Sequence, residues 1–167
     1  MKTFRPVLSA IIVSAVLYSC QKTDIVNNNA ADAIAFNVKK TVALELINNV
    51  RKTGCNCGGQ AMPPVPVIVW NDQLGQAAYN HSKDMKDNNY FSHTGLDGST
   101  PGNRITMAGY NWITYGENIA MGYIDEKAVV DAWLSSDGHC RNIMNANFKE
   151  MGMGLEGNYW TEVFGAK

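Results

Sequence analysis

Two histidines and a glutamate carry the chemistry open to this sequence: His93, Glu117 and His139, spaced 24 and then 22 residues apart. Two neutral imidazoles and a carboxylate can hold Zn²⁺ with positions left open for water, and such a metal lowers the pKa of its bound water to about 7. The same groups can serve a hydrolase, with a histidine as general base and Glu117 orienting or stabilising it. A third reading needs no reaction: Glu117 accepts hydrogen bonds from both histidines and from backbone, and so holds a cleft in shape. The spacing does not fit the compact His-Glu-x-x-His helix, so separate elements must bring the three together. Ser92, Ser135 and Ser136 lie near the histidines in sequence, but no Gly-x-Ser-x-Gly elbow surrounds them.

Four cysteines form a second group. Lys2 and Arg5, the apolar run Val7 to Leu17, and Ser19 before Cys20 read as a secretory signal over residues 1–20, too short for a comfortable membrane span. An exported chain meets an oxidising compartment, so Cys55, Cys57 and Cys140 are disulfide candidates. Cys55 and Cys57 are two residues apart and would strain a mutual bridge. The expected bond therefore joins Cys140 to one of them, closing a loop of about 85 residues, which stabilises by roughly 4 kcal/mol in the chain-entropy picture. The alternative is a metal site built from Cys-x-Cys and a histidine.

The elements that must position these residues follow from periodicity and breakers. Residues 21–31, with Asn27 to Asn29 in succession, read as a flexible tether, and residues 32–167 as one domain. Phe36, Ala43, Leu44, Ile47 and Val50 recur at helical spacing, predicting a helix from about Asp32 to Lys52 that Gly54 ends. Gly58, Gly59 and three prolines make residues 53–66 an ordered loop without helix. Asn71 or Asp72 caps a helix whose Leu74, Ala77, Ala78, His81 and Met85 share one stripe, which makes His81 a hydrogen-bonded core or cleft-edge residue rather than a ligand. A short helix is expected around Arg104 to Ala108, a strand near Ile113 to Met121, a helix capped by Asp125, and a short one from Asp137-Gly138 to Asn145. Arg141 and Asn142 serve that last helix, or Arg141, exposed beside the cleft, orients an anionic ligand. Met151 to Glu156 and Tyr159 to Phe164 read as a hairpin about Gly157-Asn158. Trp133, Tyr159 and Trp160 are expected core aromatics, and Met121, Met144, Met151 and Met153 packing material. Helices early and strands late describe an α+β arrangement.

Composition closes several classes. The 167 residues are 46% apolar and 17% charged, with 14 basic against 15 acidic side chains, which fits a packed core and excludes a nucleic-acid coat. Removing residues 1–20 takes away Lys2 and Arg5 and leaves 12 basic against 15 acidic side chains, a formal charge of −3.

Four segments stand out in order: Phe91-Ser92-His93, Tyr115-Gly116-Glu117-Asn118-Ile119-Ala120, Ser136-Asp137-Gly138-His139-Cys140-Arg141-Asn142-Ile143, and Tyr159-Trp160-Thr161-Glu162-Val163-Phe164. With Trp70-Asn71-x-x-Leu74, Ala78, His81 and Asp84-Met85 before them, they closely resemble the CAP superfamily of cysteine-rich secretory proteins, venom antigens and plant pathogenesis-related proteins. The match is best to its bacterial single-domain branch and covers roughly residues 40–165. The resemblance implies an α-β-α sandwich, with a small antiparallel sheet between helical layers and a shallow cleft lined by His93 and His139, and with Glu117 in the place of the family's Gly-Glu-Asn glutamate. Members with a second cleft acid carry it shortly after the motif tryptophan. Here Leu134, Ser135 and Ser136 follow Trp133, so that acid is missing. Leu17-Tyr18-Ser19-Cys20 resembles the lipobox of bacterial lipoproteins, with bulky Tyr18 as a departure, and implies acylation of Cys20 and a membrane partner through that lipid.

The leading expectation is an exported, lipid-anchored envelope protein whose cleft at His93, Glu117 and His139 binds a lipid or a divalent metal such as Zn²⁺. One alternative is an envelope hydrolase acting on peptide, peptidoglycan or ester substrates. Another is a non-catalytic module recognising a protein partner through the loop Leu96 to Gly102.

Overall fold

A computed structural model describes residues 34–167. Cys20, the signal segment and the tether fall outside the described residues. Two short strands, β1 (Ile34–Ala35) and β2 (Val38–Lys39), pair about a turn in which Phe36 and Asn37 take φ of 59° and 60°. This corrects the expected helix start. The left-handed turn ends any helix there, so α1 runs Lys40–Thr53, and Phe36 instead packs its ring against Tyr79. The buried stripe of α1 is Ala43, Ile47 and Arg51 at four-residue spacing.

The glycine-rich segment is also more ordered than a loop. β3 (Cys55–Cys57) and β4 (Gln60–Met62) form a hairpin about Gly58-Gly59, whose φ of 59° and 86° suit a tight two-residue turn that side chains with a Cβ disfavour. β5 (Val69–Trp70) leads to α2 (Asp72–Asp87), and Asn71 caps that helix by accepting from the Gln73 and Leu74 amides. All five predicted stripe residues of α2 are buried. Thr100 and Pro101 start α3 (Pro101–Met107), a turn earlier than expected because Thr100 and Asn103 close a reciprocal cap. β6 (Thr114–Met121), α4 (Glu126–Leu134) behind its Asp125 cap, and α5 (Asp137–Ile143) follow. β7 (Glu150–Glu156) and β8 (Tyr159–Ala166) make the terminal hairpin.

The main sheet has the order β5-β7-β8-β6. Its three long strands are antiparallel, but β5 joins β7 in parallel, so the sheet is mixed rather than wholly antiparallel. The parallel pairing follows from topology: β5 and β7 are separated by most of the domain, leaving ample chain for a crossover.

Alternation along the strands assigns the two faces. On β8, Trp160 and Phe164 join Met151 and Met153 of β7 in a core with α1, α4 and α5, while Val163 packs with Leu74, Ala77 and Ala78 of α2 and Ile105 of α3. Alternating with the β7 methionines, Gly152 and Gly154 face α2 so closely that a Cβ at either would lie 2.0 to 2.4 Å from helix backbone. The helix therefore lies directly on the strand. The result is an α+β sandwich with β6 as one sheet edge. Met144, Met151 and Met153 are core residues as expected, whereas Met121 is about half exposed at the end of β6. Among the described residues, no helix is long and apolar enough to cross a membrane.

Candidate functional site

Helices of both layers, α3 on one side and α4 and α5 on the other, contact the edge strand β6, and the site is assembled on it. An edge strand presents unpaired backbone groups, and here side chains satisfy them. Asn142 Nδ2 donates to the Glu117 carbonyl at 3.1 Å and Trp133 Nε1 to the Ile119 carbonyl at 3.2 Å. Asn118 turns inward, donating to the His139 carbonyl and to Glu162, and its Oδ1 accepts from Asn142. Asn118 and Asn142 thereby tie α5, and with it His139, to the edge.

The Glu117 side chain projects to the opposite face from Asn118, toward α2 and α3. It is buried, and its two oxygens have different partners: Oε1 accepts from His93 Nδ1 at 2.8 Å, and Oε2 from Arg104 Nη2 at 2.8 Å. Arg104 also donates to the carbonyls of His93 and Ser99, so one guanidinium fixes the glutamate, the histidine backbone and the loop before α3. The expected arrangement, with Glu117 accepting from both histidines, is thus corrected. Arg104 takes the place assigned to His139, because α3 reaches the carboxylate from within its own layer while His139 belongs to α5 on the other side.

His81 closes the rear of the site. It is fully buried, its Nε2 lies 2.9 Å from the Ser92 carbonyl, and Glu117 Oε1 is 4.0 Å away. A carbonyl only accepts, which puts the proton on Nε2. Burial holds the ring below the usual histidine range despite the nearby Glu117 charge, so at neutral pH it is an uncharged support.

His93 offers the other face of the cleft. Its side chain is about half exposed, and with Nδ1 committed to Glu117 the free ring nitrogen is Nε2. His139 is partly buried, and that burial, reinforced by the neighbouring His93, pushes its pKa down. Its ring is therefore neutral at pH 7 and its nitrogens are available as ligand or hydrogen-bonding atoms. From His139 an apolar groove of about 340 Å³ runs along the sheet edge, lined by Phe91, Ile119, Met121, Tyr123 and Trp133, with Ser136 as its second polar member.

The serines do not join the histidines. Ser92 Oγ accepts from the Thr94 amide and Ser135 Oγ donates to the Asp131 carbonyl, and among the described residues no serine hydroxyl bonds to His93 or His139. The donor set fits Zn²⁺ in one respect: a carboxylate behind Nδ1 of a histidine whose Nε2 is free is the usual outer-shell support of a metal-binding imidazole. Glu117 fits as that support and not as a ligand, since His93 and Arg104 occupy both of its oxygens.

At the far side of α5, Cys57 is bonded to Cys140, settling which of the two candidates carries the bridge, and Cys55 is a free thiol. Arg104, Arg51 and Glu162 escaped the sequence reading. A signal existed for Arg104, the sole lysine or arginine between Lys86 and Lys127 and so the natural partner for a motif glutamate. One existed for Glu162 too, since Trp160 and Phe164 on its own face point into the core.

The sequence profile of the Cysteine-rich secretory protein family (CAP) matches residues 44–164. The uncharacterized protein YkwD of Bacillus subtilis (strain 168) is 34% identical over 148 residues, covering 87% of this chain and 53% of that protein. The uncharacterized membrane protein YlbC of the same organism is 36% identical over 97 residues, 58% of this chain and 28% of its own. The chain thus spans about half or less of the length of these curated relatives. Among solved structures, an extracellular protein containing a SCP domain from Bacillus anthracis aligns with a TM-score of 0.64 at 30% identity, over 77% of this chain and 42% of that one. An outer surface protein of Borrelia burgdorferi aligns at 0.65 with 23% identity, over 76% and 91%, and shares the fold.

Proposed function

The chain belongs to the cysteine-rich secretory protein (CAP) family, and from that premise we propose that it is an exported envelope protein, anchored by acylation of Cys20, whose cleft binds a small amphipathic ligand. The likeness to an extracellular bacterial protein supports export, and the lipobox-like Leu17-Tyr18-Ser19-Cys20 supports the anchor. The observation that carries the binding reading is the apolar groove ending at His139. An alkyl or acyl chain lies along Phe91, Ile119 and Trp133, burying apolar surface at about 25 cal/mol per Å². The polar head meets His139 and His93. Because burial keeps the His139 ring neutral, the head is held there by hydrogen bonds rather than by an ion pair.

Zn²⁺ fits the same head-group position, held by His93 Nε2 and His139 with Glu117 and Arg104 orienting the first imidazole. When bound it would supply Lewis acidity toward a carbonyl or phosphoryl oxygen of the ligand. The test uses a fluorescent long-chain fatty acid and, separately, Zn²⁺ by calorimetry. Ala132→Trp, which fills the groove from α4, is expected to weaken fatty-acid binding at least tenfold while the protein stays folded. Equal binding by wild type and Ala132→Trp would remove the groove from the reading. His93→Ala and His139→Ala are each expected to abolish Zn²⁺ uptake, and undiminished uptake by both would remove the metal.

A further inference from the structure

The third cysteine lies where it competes for the disulfide. Residues two apart on a strand project to the same side, so Cys55 and Cys57 of β3 both turn toward α5, and Asn56 between them is exposed. The free Cys55 Sγ sits 3.6 Å from Cys140 Sγ and 3.8 Å from Cys57 Sγ. All three sulfurs fall within 4.8 Å of one another, the one cluster of three or more cysteine, histidine or carboxylate ligand atoms that close among the described residues.

We propose that Cys55, Cys57 and Cys140 form a disulfide-exchange centre, in which the bridge to α5 passes between Cys57 and Cys55. In the forward step Cys55 gives its proton to solvent and the thiolate attacks Cys140 Sγ. The Cys55–Cys140 bond forms as the Cys57–Cys140 bond breaks, and the electron pair leaves on Cys57 Sγ, which takes up a proton. One disulfide and one thiol are present before and after, so no outside oxidant or reductant is consumed. The near-equal distances place Cys55 broadside to the bridge. Rotation about its χ1 must bring it onto the bond axis, which makes exchange an activated, slow event.

Chain entropy does not choose between the two bridges. Their loops differ by two residues, with separations of 83 and 85, and closure entropy varies only with the logarithm of length. Burial does choose. Cys57 is fully buried and Cys55 partly exposed, so leaving Cys55 free keeps the thiol hydrated, and Cys57–Cys140 is the major form. Partial burial pushes the Cys55 thiol up, so the thiolate is scarce at neutral pH and exchange accelerates about tenfold per pH unit until the thiol has ionised. The consequence reaches the cleft. Cys140 follows His139 on α5, the helix whose Asn142 holds the Glu117 carbonyl, so exchange moves the anchor of that helix by two residues along the hairpin. This device is independent of what the cleft binds.

The test is differential alkylation of the purified full chain. Protein held at pH 7 and pH 8 in light iodoacetamide is reduced, labelled with the heavy reagent and mapped, with fragment ions about Asn56 separating Cys55 from Cys57. Light label is expected mainly on Cys55, with a slower fraction on Cys57 that accumulates about ten times faster at pH 8. In Cys55→Ser, and equally in Cys55→Ala, light label on Cys57 should disappear. Cys57→Ser should form Cys55–Cys140 in place of the native bridge. Wild-type Cys57 that never takes light label, or that takes it equally in the Cys55 variants, overturns the proposal. So does folded Cys57→Ser with two free thiols.

Discussion

Glu117 and Glu162 are two buried carboxylates on neighbouring strands, facing opposite sides of one sheet, and the fold treats them in opposite ways. Glu117 meets a guanidinium and an imidazole, one on each oxygen. Glu162 accepts a single hydrogen bond, from Asn118 Nδ2 at 3.0 Å, and its other oxygen has no partner. The nearest cation on that side, Arg51, spends its guanidinium on the carbonyls of Pro66, Ile143, Asn145 and Phe148. Burial therefore dominates at Glu162 and pushes its pKa up to about 8, which leaves it protonated at neutral pH. The difference teaches that two buried carboxylates on one sheet need not be satisfied alike. The layer each one faces supplies its partners or withholds them.

The sharpest way to break the comparison is Arg104→Ala, which turns Glu117 into a buried carboxylate with only His93 before it. A loss of about 3 to 5 kcal/mol in urea unfolding is expected. Arg104→Met combined with Glu117→Gln should recover part of that loss, because removing both charges leaves neither stranded. A single-variant loss below the error of the melt would show that the pair contributes nothing.

Glu162→Gln tests the other side. The folded-state value of about 8 lies above the unfolded carboxyl value near 4.5, so between these limits the folded state holds the extra proton. The stability this contributes is complete below about pH 4.5 and is lost as pH rises through 8. Wild type should lose on the order of 5 kcal/mol across that window. The glutamine variant, with nothing to titrate there, should show a flatter curve in the same melts. Parallel curves would place the titration elsewhere.

The smallest effect belongs to a pair outside both layers. Lys40 Nζ meets Asp72 at 2.6 Å and stands 5.2 Å over the Trp70 ring, but Asp72 is 71% exposed. Lys40→Ala should cost about 0.5 kcal/mol and lose most of that difference in 0.5 M salt. A cost as large as that of Arg104→Ala would mean that burial does not separate these ion pairs.

Much of the framework could be read along the chain. The Leu74, Ala77, Ala78, His81 and Met85 stripe, the Asn71 and Asp125 caps, the Gly157-Asn158 turn and the β6 strand are products of local periodicity and hydrogen bonding, which neighbours in sequence decide. Phe36 misled, because a left-handed turn at Phe36-Asn37 interrupts a pattern that otherwise suits a helix. The Gly58-Gly59 hairpin was hidden because two glycines suit an irregular ordered loop as readily as a tight turn between strands. At the site, His93, Glu117 and His139 were visible as motif residues. Their pairing was not, because which side chain meets Glu117 depends on which face of β6 each layer covers.

The sequence by itself determined the family, the α+β layering, the stripes that bury each helix and the short list of polar residues worth attention, since these rest on spacing of two and 3.6 residues and on ordered motifs. Only the tertiary structure decided that Arg104 rather than His139 completes Glu117, that Glu162 is left without a charge partner, and that Cys55 lies beside the Cys57–Cys140 bridge. Each of these contacts joins residues far apart in the chain, across layers whose approach is set by packing. Gly152 and Gly154, by letting α2 lie on the sheet, do as much to fix that approach as any residue in the cleft.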